Sequence, residues 1–244
     1  MDVHHHSHTS RKKWTHYFWE FLMLFLAVFC GFLAEYQLEH KIEKDREKQY
    51  IKSFIQDLES DTTQLNYLLT LFGSIIRKED TLKQYLLEPD IIKNPSKAYP
   101  YVGYSLDGYA FHRSERTIQQ LKNAGGLRLI HSIEVSNKIN EYDELCRKSG
   151  EISQVTIDTY HKYAEILNKV CYANLIGFPY SERPVPDSST FKWLTTDPRD
   201  LLIFYNIISN FQWVKKIYSG QLKDIKVYAT GLISFLRNEY RIKK

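Results

Sequence analysis

The stretch WEFLMLFLAVFCGFLAEY, residues Trp19 to Tyr36, decides how the rest of the chain is understood. Three roles compete for it: a membrane span, a signal sequence that is cut away, or the buried core helix of a soluble protein. The fully apolar part, Phe21 to Ala34, is only 14 residues long and would be short for a span by itself. The flanks extend it. Trp14, Tyr17, Phe18 and Trp19 are amphipathic rings of the kind that settle at the lipid–water boundary, and Arg11, Lys12 and Lys13 stand just before them. From Trp14 to Tyr36 there are 23 residues, or about 34 Å of helix, enough for a hydrocarbon layer of about 30 Å.

Cleavage is disfavoured by the residues themselves. A cleaved signal should end in small residues spaced as Ala-x-Ala, but Phe32-Leu33-Ala34 carries Phe at the first of them. A lipoprotein signal needs a small residue before its cysteine, and Phe29 precedes Cys30. The following run, EYQLEHKIEKDREKQYIKSF (Glu35 to Phe54), holds neither Gly nor Pro, so the helix should continue out of the bilayer. An uncleaved signal anchor is expected. The basic residues abutting the N-terminal side put that end in the cytoplasm by the positive-inside rule. Lys41, Lys44, Arg46 and Lys48 lie farther off, mixed with Glu39, Glu43, Asp45 and Glu47. The expected organisation is a cytoplasmic His-rich and basic tail at 1–13, a span at 14–36, and an extracytoplasmic domain at 37–244, periplasmic in a bacterium.

The remainder has a helical rhythm. The chain has 244 residues, and Gly and Pro are scarce, at 10 and 7. Ile51, Phe54, Ile55, Leu58, Thr62, Leu65, Leu69, Phe72, Ile76, Leu82 and Leu86 recur mostly three and four apart, one face of a long helix that Glu88-Pro89-Asp90 should stop. Residues 89–112, rich in Pro, Gly and Tyr, predict an irregular connection with exposed aromatics. A short helix is expected at SERTIQQLKNAGG, with Ser114 as its cap and Gly125-Gly126 as its end. A second long helix should start at Ser132 or Ser136 and end before Gly177-Phe178-Pro179. A third opens at Asp197-Pro198 and carries Leu201, Tyr205, Ile208, Phe211, Tyr218, Leu222, Ile225, Leu232 and Leu236. The predicted fold is all-α: a transmembrane helix continuing into an elongated antiparallel bundle of three long helices plus one short, packed as in coiled coils.

Composition excludes some functions. A net charge of +4, with acidic and basic residues interleaved, gives no case for nucleic acid. Cys146 and Cys171 are separated by 25 residues on one predicted helix, about 37 Å, so no intrachain disulfide is expected. Neither a Ser/His/Asp or Cys/His pairing nor a HExxH motif or phosphate-binding loop is present, and no catalytic residue or cofactor is expected. Asp57 and Asp61 share a helix face, but without Glu-x-x-His partners they predict a solvated face rather than a metal pair. His4, His5, His6 and His8 could hold a soft divalent metal, though a polar tail accounts for them more simply, and no metal site is assigned.

The span itself offers candidates. Glu20 lies about 7 Å from its centre, where a carboxyl is costly and normally faces protein or water; a span shifted toward Leu38 would instead leave it at the boundary. Ala27 and Gly31 form a small-xxx-small pair, with Cys30 and Ala34 an adjacent one, of the kind that lets helices approach closely. Glu20, Ala27, Gly31 and Glu35 are the expected contacts with a partner helix or a second copy.

His4-His5-His6, Lys12-Lys13-Trp14, Glu20-Phe21, Phe25-Leu26-Ala27-Val28, Gly31-Phe32, Ala34-Glu35, Glu39-His40, Arg46-Glu47-Lys48-Gln49-Tyr50 and Asp57-Leu58 resemble an uncharacterised family of small membrane proteins common in Bacteroidota. Leu121-Lys122-Asn123-Ala124-Gly125 followed by Leu127-Arg128-Leu129-Ile130 is similar to that family's second recurring segment. The resemblance covers about a third of the chain and implies a single-pass envelope protein, without supplying an activity. The expected function is therefore that of a non-enzymatic, inner-membrane-anchored scaffold, accessory subunit or partner-binding module. Its alternative is an accessory subunit of an ion-driven envelope complex that uses Glu20.

Overall fold

The computed structural model of the protein describes residues 14–106, 108–123, 126–172 and 191–243. It is all-α among these residues: α1 (Trp14–Leu86), α2 (Tyr99–Val102), α3 (Arg116–Asn123), α4 (Ile133–Val170) and α5 (Pro198–Glu239), with short 3-10 turns between them. No strand occurs among the described residues, only an isolated bridge between Cys171 and Trp193. The chain divides into two units, the first ending at Gln49 and the second beginning at Tyr50.

The helix ends follow from local chemistry. Helix α1 stops at Leu86, just before Pro89, whose ring lacks an N–H and disfavours helical geometry in the residue ahead of it. Ser132 caps α4 by accepting from the backbone N–H of Val135, with Glu134 in the first turn. Asp197 caps α5 by accepting from Arg199 N at 2.9 Å, and Pro198 occupies the first helical position, where its missing donor costs nothing. Helix α3 begins at Arg116, two residues past Ser114, and the side chain that meets a first-turn amide, Asp57, comes from α1 and is described below. Gly125 and the segment 173–190 lie outside the described residues.

Two apolar clusters make up the core of the second unit. One joins Ile51, Phe54, Leu58, Leu65 and Phe72 of α1 to Phe111, Ile118 and Leu121, to Val135, Ile139 and Tyr142 of α4, and to Tyr218 through Leu236 of α5. The other joins Leu82 and Leu86 to Ile91, Tyr99 and Val102, to Leu167 and Val170, and to Phe191, Trp193, Leu201 and Phe204. The register is set by polar contacts. Glu59 pairs with Arg237, while Gln212 donates to Ile76 O and to Asp80, so numbers fall along α5 as they rise along α1. Tyr228 donates to Glu141 at 2.8 Å and Lys169 pairs with Asp200 at 2.7 Å, so numbers fall along α5 as they rise along α4 too. Between α1 and α4 they rise together: Asp61 meets Tyr142, and Leu82 shares its cluster with Leu167.

The connector between α1 and α4 explains that shared direction. Ile91, Ala98, Tyr99 and Val102 pack in the second cluster and Phe111, Ile118, Leu121 and Ile130 in the first, so the connector travels back along α1 before α4 begins. Its aromatics are not the exposed ones expected from composition. Tyr99 is buried, its ring 4.8 Å from Phe191 and 5.0 Å from Trp193, and its hydroxyl donates to Lys192 O. Trp193 Nε1 donates to Ile91 O at 2.8 Å and Phe111 N donates to the Tyr218 hydroxyl at 2.8 Å. A connector with few turns of regular helix thus meets its polar needs through side chains.

Candidate functional site

Helix α1 contains a segment apolar and long enough to cross a membrane, none of it buried among the described residues. Among the described residues these side chains belong to neither apolar cluster. At 100° per residue they sort into two faces. Trp14, Phe18, Phe21, Phe25, Phe29, Phe32 and Tyr36 line one side, where Phe21 and Phe25 stack at 6.3 Å and Phe25 and Phe29 at 5.9 Å. Glu20, Ala27, Gly31 and Ala34 fall on the opposite side, with Glu35 on its flank, and all are exposed. A methyl group at Gly31 would meet nothing within 4 Å. His16 Nε2 lies 4.0 Å from the Glu20 carboxylate. Beyond the apolar window, polar pairing resumes: Tyr36 and His40 are hydrogen-bonded at 2.8 Å, and His40 Nδ1 is 3.5 Å from Glu43.

The second unit holds a charged pair that the apolar pattern conceals. The buried line of α1 runs Leu68, Phe72, Ile75, Glu79, Leu82, Leu86, and that of α5 runs Ile208, Phe211, Lys215, Tyr218, Leu222. Glu79 and Lys215 thus occupy core positions of their helices, at 0% and 1% exposure. Lys215 Nζ donates to Glu79 Oε1 at 2.5 Å and to the carbonyls of Tyr104 and Ser105, each at 3.3 Å, which uses all three of its N–H bonds. Glu79 Oε2 has no partner among the described residues. Burial pushes the Glu79 carboxyl up to about 7, against the pull of the Lys215 ammonium. Next to it, Asp80 accepts from Gln212 Nε2 at 2.7 Å and pairs with Lys83 at 3.0 Å. For Asp80, burial is outweighed by those bonds, and its carboxyl sits below the ordinary value.

Asp57 and Asp61, expected on a solvated face, are buried instead. Asp57 accepts from Arg116 Nη2 at 2.8 Å and from the backbone N–H of Thr117 at 3.1 Å. Asp61 accepts from Ser114 N at 2.7 Å and from the Tyr142 hydroxyl at 2.6 Å. The first turn of α3 contains no acid of its own. Its free Thr117 amide is met by Asp57 of α1, and the Ser114 amide just before the helix by Asp61, which places negative charge at its positive dipole end. Burial raises the Asp61 carboxyl above its ordinary value, partly offset by Tyr142 and Ser114. Burial also pushes the Cys146 thiol up to about 11, so it is protonated at neutral pH and not primed as a nucleophile. Cys171 is raised in the same way.

Of the residues singled out from sequence, Glu20, Ala27, Gly31 and Glu35 share a helix and face outward, whereas the N-terminal His cluster lies outside the described residues. Glu79 and Lys215 were missed, although a signal existed. The apolar ladder skips from Ile76 to Leu82 in α1 and from Phe211 to Tyr218 in α5, and each gap is large enough to hide one core position. No protein-family model, no curated protein and no solved structure matches the chain.

Proposed function

We propose that the protein is a single-pass membrane anchor carrying an extracytoplasmic helical domain, which serves as a scaffold or accessory subunit that binds another protein. The observation that carries this is the two-faced apolar segment of α1, none of whose residues is buried. Bulky aromatic rings suit lipid, and the face with Ala27, Gly31 and Ala34 suits a neighbouring helix. In this proposal residues 14–36 cross a bacterial inner membrane, residues 1–13 face the cytoplasm and 37–244 the periplasm, in keeping with the resemblance to single-pass proteins of Bacteroidota. The domain is an elongated bundle in which α5 runs antiparallel to α1 and α4, supported by the contacts of Arg237, Gln212, Tyr228 and Asp200.

Carbonate extraction and topology labelling test this together. Cys146 is buried and cannot report on sidedness, so an exposed position such as Gly150→Cys serves, labelled by an impermeant thiol reagent in intact spheroplasts. Retention in the carbonate pellet with labelling of intact spheroplasts is the expected result. Release by carbonate, or labelling only after lysis, refutes anchor or orientation respectively.

A second function, accessory subunit of an ion-driven envelope complex, is favoured by Glu20 lying on the same face as the small residues. A carboxyl at that depth is expensive unless it faces protein or water. Glu20→Gln should then leave insertion intact while ending co-purification with partner subunits after mild detergent extraction.

A further inference from the structure

A line of exposed positions descends α5 in steps of four and three from Leu202 to Asn238, and the single ionisable side chain on it is Asp224. The solvent face of α4 is different, presenting Glu134, Glu141, Glu144, Arg147, Lys148 and Glu151. The α5 line instead presents Leu202, Trp213, Ile217, Gly220, Val227 and Gly231, with Trp213 and Val227 each 66% exposed. Its spacing is that of a helix-pairing seam, repeated on the side away from the core. Glycine is unfavourable in a helix interior. Gly220 and Gly231 each have open space where a side chain would project, so packing within the chain gives no reason for them. Another helix approaching closely would.

We infer that this face of α5 pairs with α5 of a second copy of the chain. Three observations favour that occupant. From Leu202 to Asn238 the seam rises through 36 residue steps, about 54 Å, and a strip one helix wide (about 10 Å) would bury about 1,100 Å² across both copies. That is near the lower limit for a specific pair, and it becomes sufficient when both copies are confined to one bilayer, which raises their effective concentration. In this respect alone the inference rests on the anchor proposed above. Charge is self-complementary: Asp224 and its neighbour Lys223 are exposed and form no ion pair among the described residues. In a symmetric pair with helices running the same way, Asp224 of each copy packs against its counterpart and beside Lys223 of the other, whose ammonium offsets the like charge. Asn206, Asn210 and Asp224 on the line argue against burial in hydrocarbon, where each would lack a partner.

The test is disulfide crosslinking of the full chain in native membranes, in a Cys30→Ala background. Gly220→Cys should give a covalent dimer. Gly150→Cys, an equally open glycine on the charged face of α4, should not. Adding Trp213→Glu to Gly220→Cys should reduce the dimer by at least about tenfold, with the helical circular dichroism unchanged. Equal crosslinking at both glycines, or none at Gly220→Cys, overturns the pairing. So does labelling of α5 by a lipid-soluble photoprobe in place of crosslinking, which would assign this face to the bilayer. Carbonate extraction of the same membranes separates the two proposals. A retained chain that does not crosslink refutes the seam alone, and a released chain that does crosslink refutes the anchor alone.

Discussion

Replacing Glu79 by Gln should flatten the protein's response to pH and stabilise it at pH 8. Burial raises the Glu79 carboxyl from 4.5 to about 7, so between those values the folded protein holds a proton that the unfolded chain has released. By linkage, stability falls as pH rises through that window, because the native state binds more protons there. A shift of that size corresponds to about 3 kcal/mol, fully present below pH 4.5 and lost above about pH 7. The substituted amide keeps the oxygen that accepts from Lys215 and removes the buried negative charge, leaving Lys215 held by that oxygen and by the carbonyls of Tyr104 and Ser105. The variant should therefore match the natural chain near pH 5 and exceed it by up to about 3 kcal/mol at pH 8. Asp80 and Asp143 have carboxyls held below their ordinary value, so their contributions disappear only in more acid solution and do not confuse this window. Urea unfolding of the full chain in detergent at pH 5, 6, 7 and 8, followed by near-ultraviolet circular dichroism, reads the slopes. A natural chain that gains stability from pH 5 to pH 8, or a Glu79→Gln variant with the same slope, refutes the reasoning.

Other perturbations separate the remaining parts of the fold. At pH 8, Lys215→Met leaves Glu79 buried without its counter-charge and should cost about 3–5 kcal/mol, whereas the double variant Glu79→Leu/Lys215→Met should recover most of that loss in the same urea assay. Asp61→Ala strands the Tyr142 hydroxyl and the Ser114 amide; a loss of about 2–3 kcal/mol with faster hydrogen exchange in α3 is expected. Phe204→Ala, at a fully buried position, should cost about 3–5 kcal/mol, while Val227→Ala on the solvent face should change monomer stability by less than about 0.5 kcal/mol. Cys146 should resist a thiol reagent in the native protein and react only on unfolding, as burial and its raised pKa require.

Much of this architecture was legible because long helices repeat their apolar positions and announce their ends. Pro89, Ser132 and Asp197-Pro198 mark boundaries that the structure keeps to within a residue or two. Three features were not legible, each for a physical reason. The connector looked exposed because Tyr99 and Phe111 sit among Pro, Gly and Ser without any period; their burial comes from distant partners such as Phe191 and Tyr218. Asp57 and Asp61 looked solvated because two acids one turn apart usually are, and nothing local reveals the Thr117 and Ser114 amides that they meet. The Glu79–Lys215 pair left only two gaps in two ladders, 136 residues apart. Direction escaped as well: the shared sense of α1 and α4 depends on how far the connector travels, which no periodicity records.

Helix α3 has only eight residues, fewer than an isolated helix needs to hold its shape in water. With its first-turn Thr117 amide met by Asp57, and the Ser114 amide just ahead of it by Asp61, it can form only after α1 has supplied them. Its backbone protons therefore serve as a gauge of assembly: they should become shielded late in refolding, and be among the first released when the domain starts to come apart.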